Sequence, residues 1–321
     1  MPDLAVGGQA VIEGVMMRSK DRIATAVRTV AGEILVKTEK YISYTKRYKI
    51  LSLPVIRGVV TFVEMLVIGI RTLNFSADIA VKELEKQEAE ARGEEYIPKE
   101  KKNNAVMLGL TAVIALALGI LIFFFTPLAI SSLFNIEKDA VAFNLVAGVI
   151  RVGLFLAYVY LISLFGEFKK VFQYHGAEHK SIFAFENGEE LTPENVGRYT
   201  TLHPRCGTSF ILIVALFAIL IYAVSDTLYA VITGHPPGLL TRFGVHFSLL
   251  PLVAGTSYEL LKLSGKTRDN AITRVLIKPG LWLQRITTKE PSPEQMEVAI
   301  VALESAVGLT ETKLTVKRTC L

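Results

Sequence analysis

Cysteine is nearly absent from this chain, which has only Cys206 and Cys320 among its 321 residues. Two thiols cannot form the framework of several disulfides that stabilises small secreted domains, so we expect a reducing compartment. Residues 1–10 also lack a basic start followed by an apolar run, and we therefore expect no cleavable signal peptide. These two absences argue against a disulfide-stabilised secreted protein.

Apolar and charged residues are both abundant, and they occur in separate blocks. The chain is 51% hydrophobic with a mean hydropathy of +0.42, which is high for a protein with 20% charged residues. Its net charge is +5 and its pI is near 9.0. In a membrane protein, excess basic residues are typical of cytoplasmic loops. We therefore expect the lipid bilayer, and no nucleic acid, as a partner.

The first 50 residues predict a small cytoplasmic β-meander. Their apolar residues alternate with polar ones, as they do in half-buried strands. Three strands are expected, over residues 10–18, 23–30 and 33–43, and the segments between them carry turn residues.

Residues 51–104 predict a long amphipathic helix and a charged linker. The helix is expected to start near Pro54 and to reach residue 90, and residues 82–104 are almost entirely polar or charged. Five charged residues recur every seven positions and form one polar stripe: Arg57, Glu64, Arg71, Asp78 and Glu85. This stripe favours a helix that lies at the membrane interface or re-enters the membrane, although a solvated face gives the same pattern.

Residues 105–265 predict a membrane domain. Four apolar runs are expected to span the bilayer, over residues 105–134, 140–165, 208–232 and 246–263. Arg151 interrupts the second run, and because a charge inside a span needs a partner, we consider Glu64 for that role.

Residues 266–321 predict a cytoplasmic C-terminal segment with one helix. Ser292, Pro293 and Gln295 form a strong helix start, and the helix should reach about residue 307. The predicted fold class is thus mainly α: a polytopic helical membrane protein with about four spans, one interfacial or re-entrant helix, and a small N-terminal antiparallel β-meander.

Basic residues are distributed unevenly among the predicted loops. The loop over residues 166–206 and the segments before the first span and after the fourth are rich in Lys and Arg, whereas the two opposite loops contain only Lys138 and Arg242. The positive-inside rule then predicts that both termini and loop 166–206 are cytoplasmic.

Loop 166–206 carries a motif typical of metal sites. His175 and His179 are four residues apart, which places them on one face of a helix. With Glu178 they form the order His-x-x-Glu-His of inverted zinc hydrolases, in which the histidines hold zinc and the glutamate activates water. His203 and Cys206 follow in the same loop.

The ligand set is open at this point. His175, His179, His203 and Cys206 would make a closed, structural zinc site. Alternatively, His175, His179 and one further protein ligand would leave a position for water, with Glu178 as the general base. Glu259 is a candidate for that ligand, since an ionisable group inside a predicted span needs a reason. Taken singly, the histidines could equally bind lipid phosphate or cap helices.

Five stretches of the sequence carry a resemblance to a known family. They are residues 7–18, 174–180, 203–208, 257–259 and 282–288. Together they resemble the DUF1385 family, the YqhQ-like bacterial membrane proteins, over nearly the whole chain. The resemblance implies the bacterial inner membrane and a metal-dependent enzyme whose reaction is not established.

Two hypotheses follow from these patterns. The first is an inner-membrane hydrolase with a cytoplasmic-side zinc site and an unknown substrate. The second is a transporter, channel or assembly scaffold in which the metal is structural. A membrane protein partner and a homo-oligomer both stay open.

Overall fold

The computed structural model describes residues 6–93, 105–204, 206–266 and 271–309. The second half of the predicted charged linker, Arg205 and the end of the C-terminal segment lie outside these residues.

The N-terminal sheet is an antiparallel meander in the order β1-β2-β3-β4. Its strands are β1 (Gly7–Val11), β2 (Gly14–Arg18), β3 (Arg22–Arg28) and β4 (Ile34–Lys40). A β-meander was predicted, but its first strand, 10–18, was wrong because the chain reverses inside it, at Ile12 and Glu13. Glu13 has φ 49°, and this turn contains none of the usual turn residues before Gly14. Because the residues on both sides of the reversal are mostly apolar, the sequence pattern gave no sign of this two-residue hairpin turn.

The sheet packs against α6 (Gly166–Glu186) and α12 (Pro293–Val307), and α7 (Pro193–Gly197) packs against these two helices. The shared core includes Met17 and Ala24 of the sheet and Val298, Ala302 and Leu303 of α12, all fully buried. The predicted helix start is confirmed, because the side chain of Ser292 and that of Gln295 cap each other's backbone.

One long helix, α2 (Ile56–Ala91), follows α1 (Tyr44–Arg47) and a short 3-10 turn (Lys49–Ser52), as predicted. Its polar stripe makes tertiary contacts: Arg57 pairs with Glu259, and Arg71 lies 3.5 Å from Glu39 of β4. Buried Glu64 accepts hydrogen bonds from the Ser43 hydroxyl (2.8 Å) and the Tyr44 backbone N–H (2.6 Å).

The expectation that Glu64 partners Arg151 is therefore wrong. The carboxylate of Glu64 is already engaged at the start of α1. Arg151 Nε instead donates to the backbone carbonyl of Phe123 at 3.0 Å.

Among the residues that the structure describes, three helical segments are long and apolar enough to span a bilayer: Val113–Ser132, Ala140–Ser163 and Ile213–Thr233. The first contains parts of α3 (Ala105–Ile120), a π-helical turn (Leu121–Phe125) and α4 (Thr126–Ser132); the others belong to α5 (Ala140–Ser163) and α8 (Gly207–Thr233). A fourth span exists if α9 (Leu239–Ser248) and α10 (Leu250–Lys266), which meet at a 49° bend, count as one. A polytopic membrane protein is compatible with this fold.

Helices occupy two places where prolines favour a break. Pro236 and Pro237 lie between the third and fourth predicted spans, yet α9 begins at Leu239. Pro279 lies inside α11 (Ala271–Thr287). Proline removes one backbone donor but does not forbid a helix, and its neighbours retain their helical geometry here.

Candidate metal centre

Helix α6 places His175 and His179 side by side, with ring centroids 4.4 Å apart. Cys206, the residue before α8, brings its thiol to the same place, and it is 7% exposed. The ligand atoms of these three residues all lie within 4.8 Å of one another. The structure thus brings together three of the five predicted ligands in what we call the His/His/Cys cluster.

The Nδ1 atom of each imidazole is hydrogen-bonded to a backbone carbonyl oxygen. His175 Nδ1 lies 2.8 Å from the oxygen of Thr287, and His179 Nδ1 bonds to the oxygen of Thr201. Because a carbonyl oxygen can only accept, each Nδ1 carries the proton. Both Nε2 atoms therefore present lone pairs. Histidines that bind metals are usually held in this way, with the other ring nitrogen donating to a carbonyl or carboxylate oxygen.

The Nε2 atoms and the thiol have spacings that suit a small cation. His175 Nε2 lies 3.2 Å from Cys206 Sγ, a contact in which the thiol donates. In a tetrahedral zinc site, a nitrogen and a sulfur ligand are about 3.6 Å apart, from the usual bond lengths. His179 Nε2 is buried and makes no conventional hydrogen bond among the described residues. Burial lowers the pKa of His179, and the Cys206 thiol partly opposes this effect.

Glu178 lies beside the cluster with its carboxyl group buried. Burial raises the pKa of Glu178 to about 8; His175 opposes this shift, whereas Cys206 adds to it. The backbone N–H of Gly8 donates to this carboxyl group, while its Oε2 atom has no hydrogen-bond partner among the described residues. A carboxyl group that is buried and poised near neutrality is the type of group that general acid–base catalysis uses.

Strand β1 approaches Glu178 closely because residue 8 is glycine. A Cβ at Gly8 would lie 2.9 Å from Glu178 Cδ and 2.6 Å from the carbonyl oxygen of Met16. The Gly7-Gly8-Gln9 segment is thus part of the strand that covers the site.

The loop that carries Cys206 is fixed by α11. Gln284, fully buried, donates to the carbonyl oxygen of His203 and accepts from its backbone N–H, both at 2.8 Å. The backbone N–H of Cys206 then bonds to the same carbonyl oxygen at 3.3 Å. Gln284 and Thr287 were not predicted as supports of the site, and only the family resemblance of residues 282–288 pointed to this segment.

The chain after α11 is held against α6 by two further features. A Cβ at Gly176 would lie 2.1 Å from the carbonyl oxygen of Lys289, so only glycine allows this approach. Lys180, 3% exposed, bonds to the carbonyl oxygen of Gly197 at 3.0 Å and pairs with Glu290. Since Gly176 and Lys180 flank the two histidines, the carbonyl oxygen of Thr287 is held within reach of His175.

His203 is a neighbour of the cluster but does not belong to it. Its ring centroid lies 5.6 Å from that of His179 and 4.4 Å from that of Phe183. Its Nε2 atom lies 3.8 Å from a carboxylate oxygen of Glu186. The closed shell of three histidines and Cys206 is therefore not assembled in this structure.

Glu259 lies elsewhere and has other partners. Its two carboxylate oxygens bond to Nε and Nη2 of Arg57, and one also accepts from the backbone N–H of Val55 at 3.3 Å. Glu259 is therefore not part of the His/His/Cys cluster in this structure. Its hydrogen bonds join the start of α2 to α10.

A second buried polar group, centred on Asp226 of α8, was missed. Asp226 is 1% exposed and accepts from Asn144 Nδ2 at 2.8 Å and His246 Nε2 at 2.9 Å. Arg242 Nε lies 3.1 Å from the same carboxylate. Arg242, expected in an outer loop, thus has its charge balanced inside the helical bundle. The sequence signal was Asp226 itself, the one acidic residue inside the third predicted span.

The fold and the cluster define a helical protein that is compatible with a membrane and has a candidate His/His/Cys metal site. The chain belongs to the DUF1385 family, whose model is described as "Protein of unknown function" and matches residues 53–309. It is 34% identical over 314 residues to a protein of Bacillus subtilis (strain 168), the "Uncharacterized protein YqhQ", and the match covers 95% of this chain and 93% of that one. No solved structure matches the chain.

Proposed function

We propose that this protein is an inner-membrane, metal-dependent hydrolase in which His175, His179 and Cys206 bind zinc. The observation that carries the proposal is the convergence of two Nε2 lone pairs and a thiol beside the buried carboxyl group of Glu178. Imidazole and thiolate are ligands that zinc prefers. Three protein ligands also leave a fourth position open, which is typical of catalytic sites.

Each residue then has a distinct task. A zinc ion held there would act as a Lewis acid toward a carbonyl or phosphoryl group. The carbonyl oxygens of Thr287 and Thr201 keep the proton on Nδ1 of each histidine and so fix both rings for binding. Glu178 would accept the proton of the attacking water and return it to the leaving group, which is the role of the glutamate in His-x-x-Glu-His enzymes.

Metal content is the first test. Protein purified in detergent should contain about one zinc per chain by elemental mass spectrometry, and the His175→Ala, His179→Ala double variant should lose it. His235→Ala is the matched control, because His235 is exposed and lies outside the cluster. The absence of stoichiometric metal from a well-folded sample would refute the metalloenzyme proposal.

The role of Glu178 is tested separately. Glu178→Gln preserves the shape of the side chain but removes the base, so zinc should stay bound. Hydrolysis of lipid-linked esters or peptides found by screening should fall by about 10²–10⁴-fold, as expected for loss of a general base. Full activity in a variant that retains zinc would exclude this role.

A structural role for the metal is the second candidate. The observation that favours it is that the cluster joins α6 to the residue before α8, with His179 and Cys206 buried. On this view the protein is a transporter, channel or assembly scaffold. Cys206→Ala would then lower the unfolding temperature together with the zinc content, and zinc-loaded protein would hydrolyse none of the screened substrates.

We also infer that the His/His/Cys cluster faces the cytoplasm of a bacterial cell. The support is the excess of Lys and Arg in residues 166–206 over the two opposite loops. Protease cleavage in the exposed segment 187–190 should occur in inverted membrane vesicles and not in spheroplasts; the opposite result would reverse the orientation.

A further inference from the structure

A cavity of 190 Å³ lies where the π-helical turn, α5, α8 and α10 meet. It shares no residue with the His/His/Cys cluster. Its walls are mostly apolar and include Phe124, Phe155, Ala218 and Val253. A water molecule occupies about 30 Å³ in the liquid, so the cavity has room for roughly six groups of that size.

Arg151 brings a permanent charge to this cavity. It lies eleven residues after the first residue of α5, Ala140, so it is about 16 Å along the helix and near the middle of the span. Its Nε atom is satisfied by the carbonyl oxygen of Phe123, but its Nη2 atom is buried and has no hydrogen-bond partner among the described residues. No described carboxylate pairs with it. A charge at this depth is costly and is usually compensated.

Tyr222 adds a second unused donor to the same cavity. The residue is 1% exposed, and its hydroxyl group is buried without a hydrogen-bond partner among the described residues. Its ring stacks on His246, with centroids 4.0 Å apart and planes at 3°. His246 is itself fixed by Asp226. The position of the Tyr222 hydroxyl group is therefore set by packing before any ligand arrives.

Arg242 provides an internal comparison. It lies in the same bundle and is 1% exposed, but it pairs with Asp226 and bonds to the carbonyl oxygen of Glu137 at 2.7 Å. The fold thus supplies a counter-charge for buried Arg242 and leaves half-buried Arg151 open to a cavity. The guanidinium carbon of Arg151 also lies over the rings of Phe124 and Tyr222, 5.1 and 5.7 Å from their centroids. These cation–π contacts compensate only part of the cost of placing its charge there.

We propose that this cavity binds an oxyanion carried on a hydrocarbon chain. The head group would accept hydrogen bonds from Arg151 Nη2 and the Tyr222 hydroxyl group, and the first few carbons would lie against the phenylalanine side chains. The rest of a longer chain would leave through the open side of the cavity. A fatty-acid carboxylate and an alkyl phosphate share this chemistry. A small free anion lacks the apolar part that the remaining walls require. The π-helical turn supports the site, because it presents the Phe123 carbonyl oxygen that orients Arg151.

The test is native mass spectrometry of the full-length protein in a non-ionic detergent, titrated with four probes. Dodecanoate and dodecyl phosphate carry both features, dodecanol carries only the chain, and acetate carries only the charge. We expect about one dodecanoate or dodecyl phosphate per chain, and much weaker retention of dodecanol and acetate. Whichever of dodecanoate and dodecyl phosphate binds more tightly shows whether the site prefers a carboxylate or a phosphate head group.

Two variants and one control complete the design. Tyr222→Phe keeps the ring stack and removes only the hydroxyl group, and Arg151→Gln removes the charge. Each should weaken binding of the preferred probe at least tenfold, as expected for the loss of a hydrogen bond to a charged group. Tyr229→Phe, on the same helix but outside the cavity, should bind as the unchanged protein does. Tyr222→Phe decides the question if Arg151→Gln does not fold.

Three results would overturn the proposal. The first is equal retention of dodecanol and dodecanoate, which would show that charge is not recognised. The second is tight binding of acetate that displaces dodecanoate, which would show that the hydrocarbon chain is not recognised. The third is unchanged binding in Tyr222→Phe.

Discussion

Replacing Gly8 by alanine tests whether strand β1 really closes over the candidate site. The added Cβ would lie 2.6 Å from the carbonyl oxygen of Met16 and 2.9 Å from both Glu178 Cδ and Met17 Sδ. The methionine sulfur and the carboxyl group can rotate away, but the backbone oxygen cannot, so the strand must shift. Overpacking of this kind costs about 1–3 kcal/mol.

The measurement is thermal unfolding of the purified protein in detergent. With an unfolding entropy of about 2.1 cal/mol/K per residue, 1 kcal/mol lowers the unfolding temperature of a 321-residue chain by about 1.5 °C, so Gly8→Ala should lower it by roughly 1.5–4.5 °C. Zinc content should stay near that of the unchanged protein, because Gly8 contacts Glu178 and none of the three ligands. Hydrolysis should fall, since Glu178 is displaced.

Gly7→Ala is the matched control in the same strand. A Cβ there would have no atom within 4 Å, so its unfolding temperature should be that of the unchanged protein. If the two variants behave alike, the packing of β1 against α6 is not as described, and the argument for a covered Glu178 fails with it.

Three further substitutions test other contacts. Gln284→Ala removes both hydrogen bonds to the backbone of His203 and should weaken zinc affinity by about 10–100-fold in a chelator competition, the usual effect of losing a support of a metal ligand; unchanged affinity would refute its positioning role. Glu259→Gln should lower the unfolding temperature through the loss of its pair with Arg57, while zinc content, measured by elemental mass spectrometry, stays the same; loss of zinc would restore Glu259 as a ligand. Ser292→Ala should cost about 1 kcal/mol of stability in denaturant unfolding, because it removes the cap of α12, and no loss would argue against that capping box.

Much of the architecture could be predicted because it depends on local patterns. The seven-residue stripe and the proline at its start predict α2, and the Ser292 capping box predicts α12. The histidine pair could be predicted for the same reason, since a spacing of four residues places two side chains on one helical face. Local patterns failed where the chain reverses at Glu13 without a usual turn residue, and where Pro279 is accommodated inside α11.

Long-range contacts could not be predicted from spacing. Glu259 was considered a ligand because an acid inside a span needs a reason, and the reason turned out to be Arg57. Thr287 supports the site through its backbone carbonyl oxygen, and Gln284 supports it through side-chain hydrogen bonds to the backbone of a residue 81 positions away, His203, so spacing reveals neither of them. The same holds for Gly8, whose role is evident only once β1 is placed on α6.

The two ends of the described chain meet in one core. Arg28 of β3 pairs at 2.6 Å with Glu297 of α12, although the two residues are 269 positions apart. At a synthesis rate of 5–20 residues per second, the sheet would wait roughly 15–50 seconds for α12 to be made. During that time the membrane helices can be inserted while the apolar face of β2 and β3 is still uncovered. The body that supports the His/His/Cys cluster is therefore complete only after α12 leaves the ribosome.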